Sequence, residues 1–268
     1  MIPIPAHDIR HLPTQRLGKR VWSFPSLDST NNLALALGDD LANDGLALMA
    51  QEQSAGRGQY GRAWTAPPHS SVLLSVLLFP APALRRPALL TALAAVAVCE
   101  TILEVAGLPA AIKWPNDVLI QGKKVCGILI EQRNTGLDDS PLAAALGIGL
   151  NVRQSADFFA QANLPLAGSL ASVSGKCYEP RHVAERLIGQ LDTAYVRLLQ
   201  GDADTLETLW KQRLGLMGKQ VALHTVHEKK EGRLLDMAWD GVVLEDAGEI
   251  VRVAPELVRH LEELKATQ

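Results

Sequence analysis

The segment that most constrains this chain is the run from Ala88 to Cys99, which carries no charge and is closed by Arg85 and Arg86 before it and Glu100 and Glu104 after it. Such a stretch must leave water, yet it falls short of the roughly 18 apolar residues that a membrane span needs. It predicts a helix from about Arg86 to Val105 buried in a globular core, and no insertion into a membrane. With 47% hydrophobic residues, a chain of 268 residues can supply that core as one domain or as a main domain with a small appendage.

A formal net charge of -3 leaves no basic excess, so no nucleic-acid footprint is visible at whole-chain level. Cys99, Cys126 and Cys177 are odd in number and far apart, without a C-x-x-C pair, which argues against a disulfide framework and against a zinc site. A reducing cytoplasm is expected. Met1 to Arg20, with prolines at positions 3, 5 and 13, lacks the apolar centre of a signal peptide.

Around the buried helix the pattern alternates. Asp28-Ser29-Thr30 offers an N-cap for a short helix from Asn31 to Leu37, stopping near Gly38. Leu46 to Gln53 and Ser70 to Phe79 read as strands, and the Gly-, Arg- and Pro-rich stretch from Ser54 to Pro68 between them reads as a long loop. A strand near Ile112 to Trp114 precedes a turn at Pro115-Asn116-Asp117. Val118 to Ile120, the turn Gln121-Gly122-Lys123 and Val125 to Glu131 form a hairpin, Asp138 to Ser140 another turn, and Leu142 to Val152 an internal strand. Helical spacing dominates from Arg181 to Leu214. Beyond it come short strands at Lys219 to Thr225, Gly232 to Trp239, Val242 to Glu245 and Ile250 to Val253, with Asp240-Gly241 as a hairpin signal. The expected division is 1–215 and 216–268.

Two constellations can carry chemistry. Gly56-Arg57-Gly58-Gln59-Tyr60-Gly61 fits G-x-G-x-x-G, but Arg62 to Pro68 cannot open the helix that a dinucleotide fold requires. A long loop with special glycine dihedrals and two permanent cations, Arg57 and Arg62, suits phosphate or carboxylate, although composition alone also allows a solvated turn. Lys113-Trp114-Pro115-Asn116-Asp117, followed by Lys124 and Gly127, can neutralise anions, coordinate a hard cation or accept a proton. No Walker A loop, H-E-x-x-H or G-x-S-x-G occurs, the seven histidines are dispersed, and Cys126 reads as core.

Ser29-Thr30-Asn31, Gln51 to Gly58, Gly61-Arg62, Trp64, Lys113 to Asp117, Lys124 with Gly127 to Glu131, and Gly147 to Val152 stand in an order and spacing that closely resembles the biotin protein ligases. The likeness is dense from Ser26 to Val152 and looser after it, through Gly168-Ser169-Leu170. It implies an α+β fold, in which a class II synthetase-like catalytic domain with a mixed, mainly antiparallel sheet and helices is followed by a small SH3-like β-barrel. It also implies ATP and Mg2+ as cofactors and biotin as substrate. The acceptor would be a lysine of the biotin carboxyl carrier protein of acetyl-CoA carboxylase or a related carboxylase.

Carried over residue by residue, the resemblance assigns catalysis to Lys124, Arg57 and Asp117. Biotin would contact Ser29, Thr30, Asn31, Gln53, Gly56, Arg57, Gly58, Gln59, Lys124 and Gly127. ATP would contact Arg57, Arg62, Trp64, Asn116, Lys124 and Asn151. Asp117 would touch the metal or accept the lysine proton.

Two departures stand out. Several members carry arginine where this chain has Gln59, which removes one cation from the adenylate loop. Only 28 residues precede Ser29, too few for the winged helix-turn-helix of repressor members, so the single-function class without direct DNA binding is expected, as monomer or homodimer. The rivals are a lipoate or octanoate ligase and a non-catalytic biotin sensor.

Overall fold

The computed structural model describes residues 7–134 and 142–264; the turn expected at Asp138 to Ser140 lies outside them. In chain order it comprises β1 (Asp8–Arg10), β2 (Val21–Leu27), α1 (Thr30–Ala36), β3 (Ala47–Gln53), β4 (Ser71–Leu78), α2 (Pro87–Ala106), β5 (Ala111–Lys113) and β6 (Asp117–Ile120). There follow β7 (Lys123–Asn134), β8 (Leu142–Asn151), α3 (Ala156–Gln161), α4 (Leu170–Ser174), α5 (Pro180–Leu199) and α6 (Ala203–Leu214). Five short strands complete it: β9 (Gln220–Thr225), β10 (Lys229–Ala238), β11 (Gly241–Asp246), β12 (Glu249–Val253) and β13 (Val258–Glu263).

The uncharged run is the core helix α2, opened by Pro87, whose missing amide proton is no loss in the first turn, and closed by Gly107 at φ 68. By length and composition α2 could cross a membrane, but 72% of its most apolar window is buried against the rest of the chain. It packs with α5 and α6 on one face of an eight-stranded sheet of order β1-β2-β3-β4-β8-β7-β6-β5. Only β2 and β3 pair in parallel; the other neighbours are antiparallel, so the sheet is mixed and mainly antiparallel as expected.

Strand β4 is buried along its whole length, and its side chains divide by parity. Val72, Leu74, Val76 and Leu78 face the α2 core, whereas Leu77 joins the smaller cluster under α1 with Leu33, Ala143 and Ala145. The second sheet, β12-β11-β10-β9-β13, is antiparallel throughout and forms the SH3-like part.

Several elements escaped the sequence reading: β1, β2, α3, α4 and β13. The helical stretch from Arg181 to Leu214 is two helices, broken at Gly201 with φ 88. The hairpin at Asp240-Gly241 exists, but its turn is one residue earlier. Ala238 pairs with Gly241, leaving Trp239 and Asp240 as the loop, and a Cβ on Gly241 would come 2.4 Å from Nε of Arg252, which bonds Asp240 from the next strand.

Candidate active site

The cleft opens on the face of the sheet that carries α1, where side chains shrink. Leu77, Ala143 and Ala145 support the helix, and further along the same face stand Ser75, Gly147, Gly149 and, paired with Gly149 on β7, Gly127. The resulting hollow of about 540 Å³ is of the size that holds a small molecule.

One end is a corner of buried polar groups. Because β2 and β3 run parallel, their C-terminal ends meet, with Leu27 opposite Gln53. The start of α1 is therefore delivered beside Gln53. Gln53 Oε1 accepts from the Thr30 amide at 2.7 Å and from the Thr30 hydroxyl at 3.0 Å. Ser29 stands at the N-cap with extended backbone, yet its side chain caps nothing, and its amide is satisfied by Asp28 Oδ1 at 2.6 Å. Its side chain lines the cleft without capping the helix. Ser75, fully buried in β4, lies with its Oγ 2.6 Å from Asn31 Oδ1 and 2.7 Å from Thr30 Oγ1. Asn31 donates to Glu131 Oε2 at 2.8 Å.

The opposite wall is the β6–β7 hairpin, whose turn Gln121-Gly122 has φ 50 and 77, the mirror-image geometry that suits strand twist. A bulge follows, since Leu119 pairs with Lys124 but Val118 with Cys126, leaving Val125 as the extra residue. In a regular strand Lys124 and Gly127 would point to opposite faces; the bulge turns both to the cleft. Lys124 Nζ lies 2.6 Å from Asp117 Oδ1, a pair held by charge rather than by hydrogen-bond alignment. The Lys124 backbone is clamped by Leu166 and Gly168, and Asn151 holds Gly168 by donating to its carbonyl at 3.0 Å.

The loop from Ser54 to Pro68 folds over the floor, with Arg57 bridging to Ala63 and Gly56 O accepting from the Trp64 amide at 2.9 Å. Trp64 rests on the glycines: a Cβ on Gly149 would approach its Cε2 to 2.5 Å, and one on Gly127 its Cζ3 to 2.9 Å. Its buried Nε1 has no partner among the described residues, and Lys124 Nζ stands 5.8 Å from its ring centre.

Of the expected site residues, Ser29, Thr30, Asn31, Gln53, Arg57, Gly58 and Gln59 line the cleft, as do Arg62, Trp64, Asn116, Asp117, Lys124 and Gly127. Gly56 and Asn151 do not; Gly56 shapes the loop, and Asn151 is buried with its amide spent on Gly168 and Gln154. Asn116 also uses its amide nitrogen structurally, donating to Ile128 O at 2.7 Å.

The sequence reading passed over Ser75, Arg259 and His260, and it quoted Tyr60 and Glu131 within motifs without giving either a role. A lone hydroxyl in the middle of the apolar run SVLLSVLL was the available signal for Ser75. Nothing in sequence pointed to Arg259 and His260, which reach the cleft from β13. Trp114 fixes them: its Nε1 donates to Val258 O at 3.1 Å, and its ring meets Trp210, which stacks on Trp239 at 4.8 Å. Arg259 then stands 4.5 Å above the Tyr60 ring, tying the small sheet to the loop.

Among the described residues no group of three or more His, Cys, Asp or Glu side chains is placed to hold a metal. Asp117 is the only acid lining the cleft among the described residues. That still fits magnesium, which keeps its waters and leans on one or two carboxylates plus substrate phosphates. Cys126 is fully buried in the main core, as the sequence suggested, and burial pushes its thiol well above the ordinary value of 9.0.

Residues 23–151 match the family described as the Biotin/lipoate A/B protein ligase family. The chain is 33% identical over 237 residues to the biotin–[acetyl-CoA-carboxylase] ligase of Paracoccus denitrificans, covering 85% of this chain and 92% of that one. Its counterpart from Mycobacterium tuberculosis is 30% identical, with 93% and 97% covered, and the bifunctional ligase/repressor BirA of Bacillus subtilis is 31% identical, with 90% and 74% covered. In fold it matches the biotin protein ligase from Aquifex aeolicus, solved in complex with biotin and ATP, at a TM-score of 0.74 and 23% identity over 91% of this chain and 99% of that one. The chain belongs to the biotin/lipoate protein ligase family and, within it, to the biotin protein ligases.

Proposed function

We propose that this enzyme activates biotin with ATP and joins it to a lysine of the biotin carboxyl carrier domain of acetyl-CoA carboxylase or a related carboxylase. In the first half-reaction a biotin carboxylate oxygen attacks the α-phosphorus of ATP, forming biotinyl-5'-AMP and expelling pyrophosphate. In the second, the lysine amine attacks the mixed anhydride, giving an amide, AMP and a proton. The observation that carries this reading is a single cleft lined both by a polar corner, Ser29, Thr30, Asn31 and Gln53, and by the cations Arg57, Arg62 and Lys124.

The corner suits a ureido ring, which needs donors for its carbonyl and acceptors for its amides within an otherwise enclosed pocket. Ser29, Thr30, Asn31 and Gln53 bind it. Arg57 and Lys124 stabilise the charge that gathers where carboxylate meets phosphate, a role that fixed cations fill without reorganisation. Asp117 keeps the Lys124 ammonium aimed into the cleft. Magnesium, held by Asp117 and the triphosphate, would offset phosphate charge. Arg62, Trp64 and Asn116 line the nucleotide end, and the loop over the floor excludes water from the hydrolysable adenylate. Residues 1–215 form the catalytic domain and 216–268 the SH3-like domain. Three unpaired cysteines fit a cytoplasmic setting.

The test is biotin-dependent exchange of labelled pyrophosphate into ATP, with lipoate in parallel. Exchange with biotin only, reduced by about 100-fold or more in Lys124→Ala, is the expected result. Exchange with lipoate instead would transfer the chain to the lipoate branch, and exchange with neither would refute the reading.

A further inference from the structure

We infer that Glu131 is the positioning residue for Arg57: it grips one nitrogen of the guanidinium from behind and leaves the others to the reacting anions. The inference rests on the reading of Arg57 given above. Arg57 Nη2 lies 3.0 Å from each Glu131 oxygen and 2.7 Å from Asn32 Oδ1. Both of its hydrogens are thereby taken. Nε and Nη1 have no acceptor among the described residues and retain three N–H groups, enough for a carboxylate and a phosphate oxygen.

Glu131 does not line the cleft. It shares the strand face of Gly127 and Leu129, as period-two alternation requires, and stands one step behind them. The same carboxylate accepts from Asn31 Nδ2 at 2.8 Å, and Asn31 is held from its other side by Ser75. One side chain thus ties the biotin corner to the adenylate loop, so the distance between the ring site and Arg57 is set by a strand of the sheet and not by the loop alone. The charge balance agrees. Among the described residues Arg57, Arg62, Lys113, Lys124 and Arg259 line the cleft with only Asp117 opposing them, and without Glu131 repulsion among these cations would favour a guanidinium turned toward solvent before substrate arrives.

The experiment is a double-substitution cycle on the full chain, read by biotin-dependent pyrophosphate exchange. Glu131→Gln is expected to slow exchange by about 10–100-fold, the penalty of a misplaced group at the reacting centre. In an Arg57→Ala background the same change should do nothing further, beyond about twofold. A purely structural role for Glu131 would instead multiply the two losses. That outcome, or natural exchange in Glu131→Gln, overturns the inference. Should Glu131→Gln fail to fold, Asn32→Ala removes the other hold on the same nitrogen and must show the same non-additivity. Natural exchange in Arg57→Ala would sink the reading of Arg57 itself, and no biotin exchange in the natural chain would sink the proposed function.

Discussion

The two ends of the cleft are built differently. At the proposed biotin corner, Ser29, Thr30, Asn31 and Ser75 are buried and sit on a helix start and a central strand, with Ser75 bridging Thr30 and Asn31. Along the loop proposed to cover the adenylate, by contrast, Gln59, Tyr60 and Arg62 stand on irregular backbone, and Tyr60 is 59% exposed. The difference teaches a division of labour. A neutral ring is recognised by geometry, which calls for rigid, pre-formed donors and acceptors, whereas a polyanion is recognised by charge, which tolerates a looser frame.

The sharpest way to break the comparison is to add the same methyl group at each end. A Cβ on Gly147 would lie 2.4 Å from Asn31 Oδ1, which Ser75 and Glu131 hold in place, while one on Gly149 meets a Trp64 ring carried by the loop. Gly147→Ala should therefore cost about 1–3 kcal/mol in biotin binding, measured by titration calorimetry, and Gly149→Ala clearly less. Equal losses would mean that the loop is as rigid as the corner.

Next in size is Ser75→Ala, which leaves Asn31 Oδ1 and Thr30 without their shared hydroxyl. Burial of unmet polar groups should weaken biotin binding by about 1–2 kcal/mol with little change in ATP binding. At the other end, Gln59→Arg adds a cation to the loop and should slow release of the adenylate by about two- to tenfold, followed by gel filtration of labelled intermediate. An unchanged release rate would remove Gln59 from the adenylate site.

The smallest effect lies away from the cleft. Lys211 on α6 donates to Asp236 on β10 at 2.7 Å and holds its carboxyl below the usual 3.8. A depressed carboxylate contributes stability that is fully present above 3.8 and is lost as the pH falls through the lowered value. Lys211→Ala should reduce stability at pH 7 by under about 1 kcal/mol for so exposed a pair, seen as a slightly lower melting temperature, and the difference should close as the pH drops below 3.8.

Much of the fold was legible where burial follows period. Strands β3, β4 and β8 and helix α2 lie within a residue or two of their expected limits, because long apolar runs permit few alternatives. Strand β2, VWSFPSL, was not, since its partial burial and internal proline give no clean alternation. Strand β13 was missed because Arg259, His260, Glu262 and Glu263 dominate its composition.

By itself the sequence determined which chemistry this chain can carry: the order of Ser29-Thr30-Asn31, the Arg57 loop, Lys113 to Asp117 and Lys124 already supplied the polar corner, the cations and the carboxylate. Only the tertiary structure decided how these meet. The parallel pairing of β2 with β3 brings Thr30 to Gln53, the bulge at Val125 swings Lys124 onto the face of Gly127, and Trp114 fastens β13 so that Arg259 and His260 reach the cleft. Pairing direction, bulge placement and docking of one sheet on another are long-range choices, set by the packing of residues far apart in the chain, and local periodicity carries no trace of them.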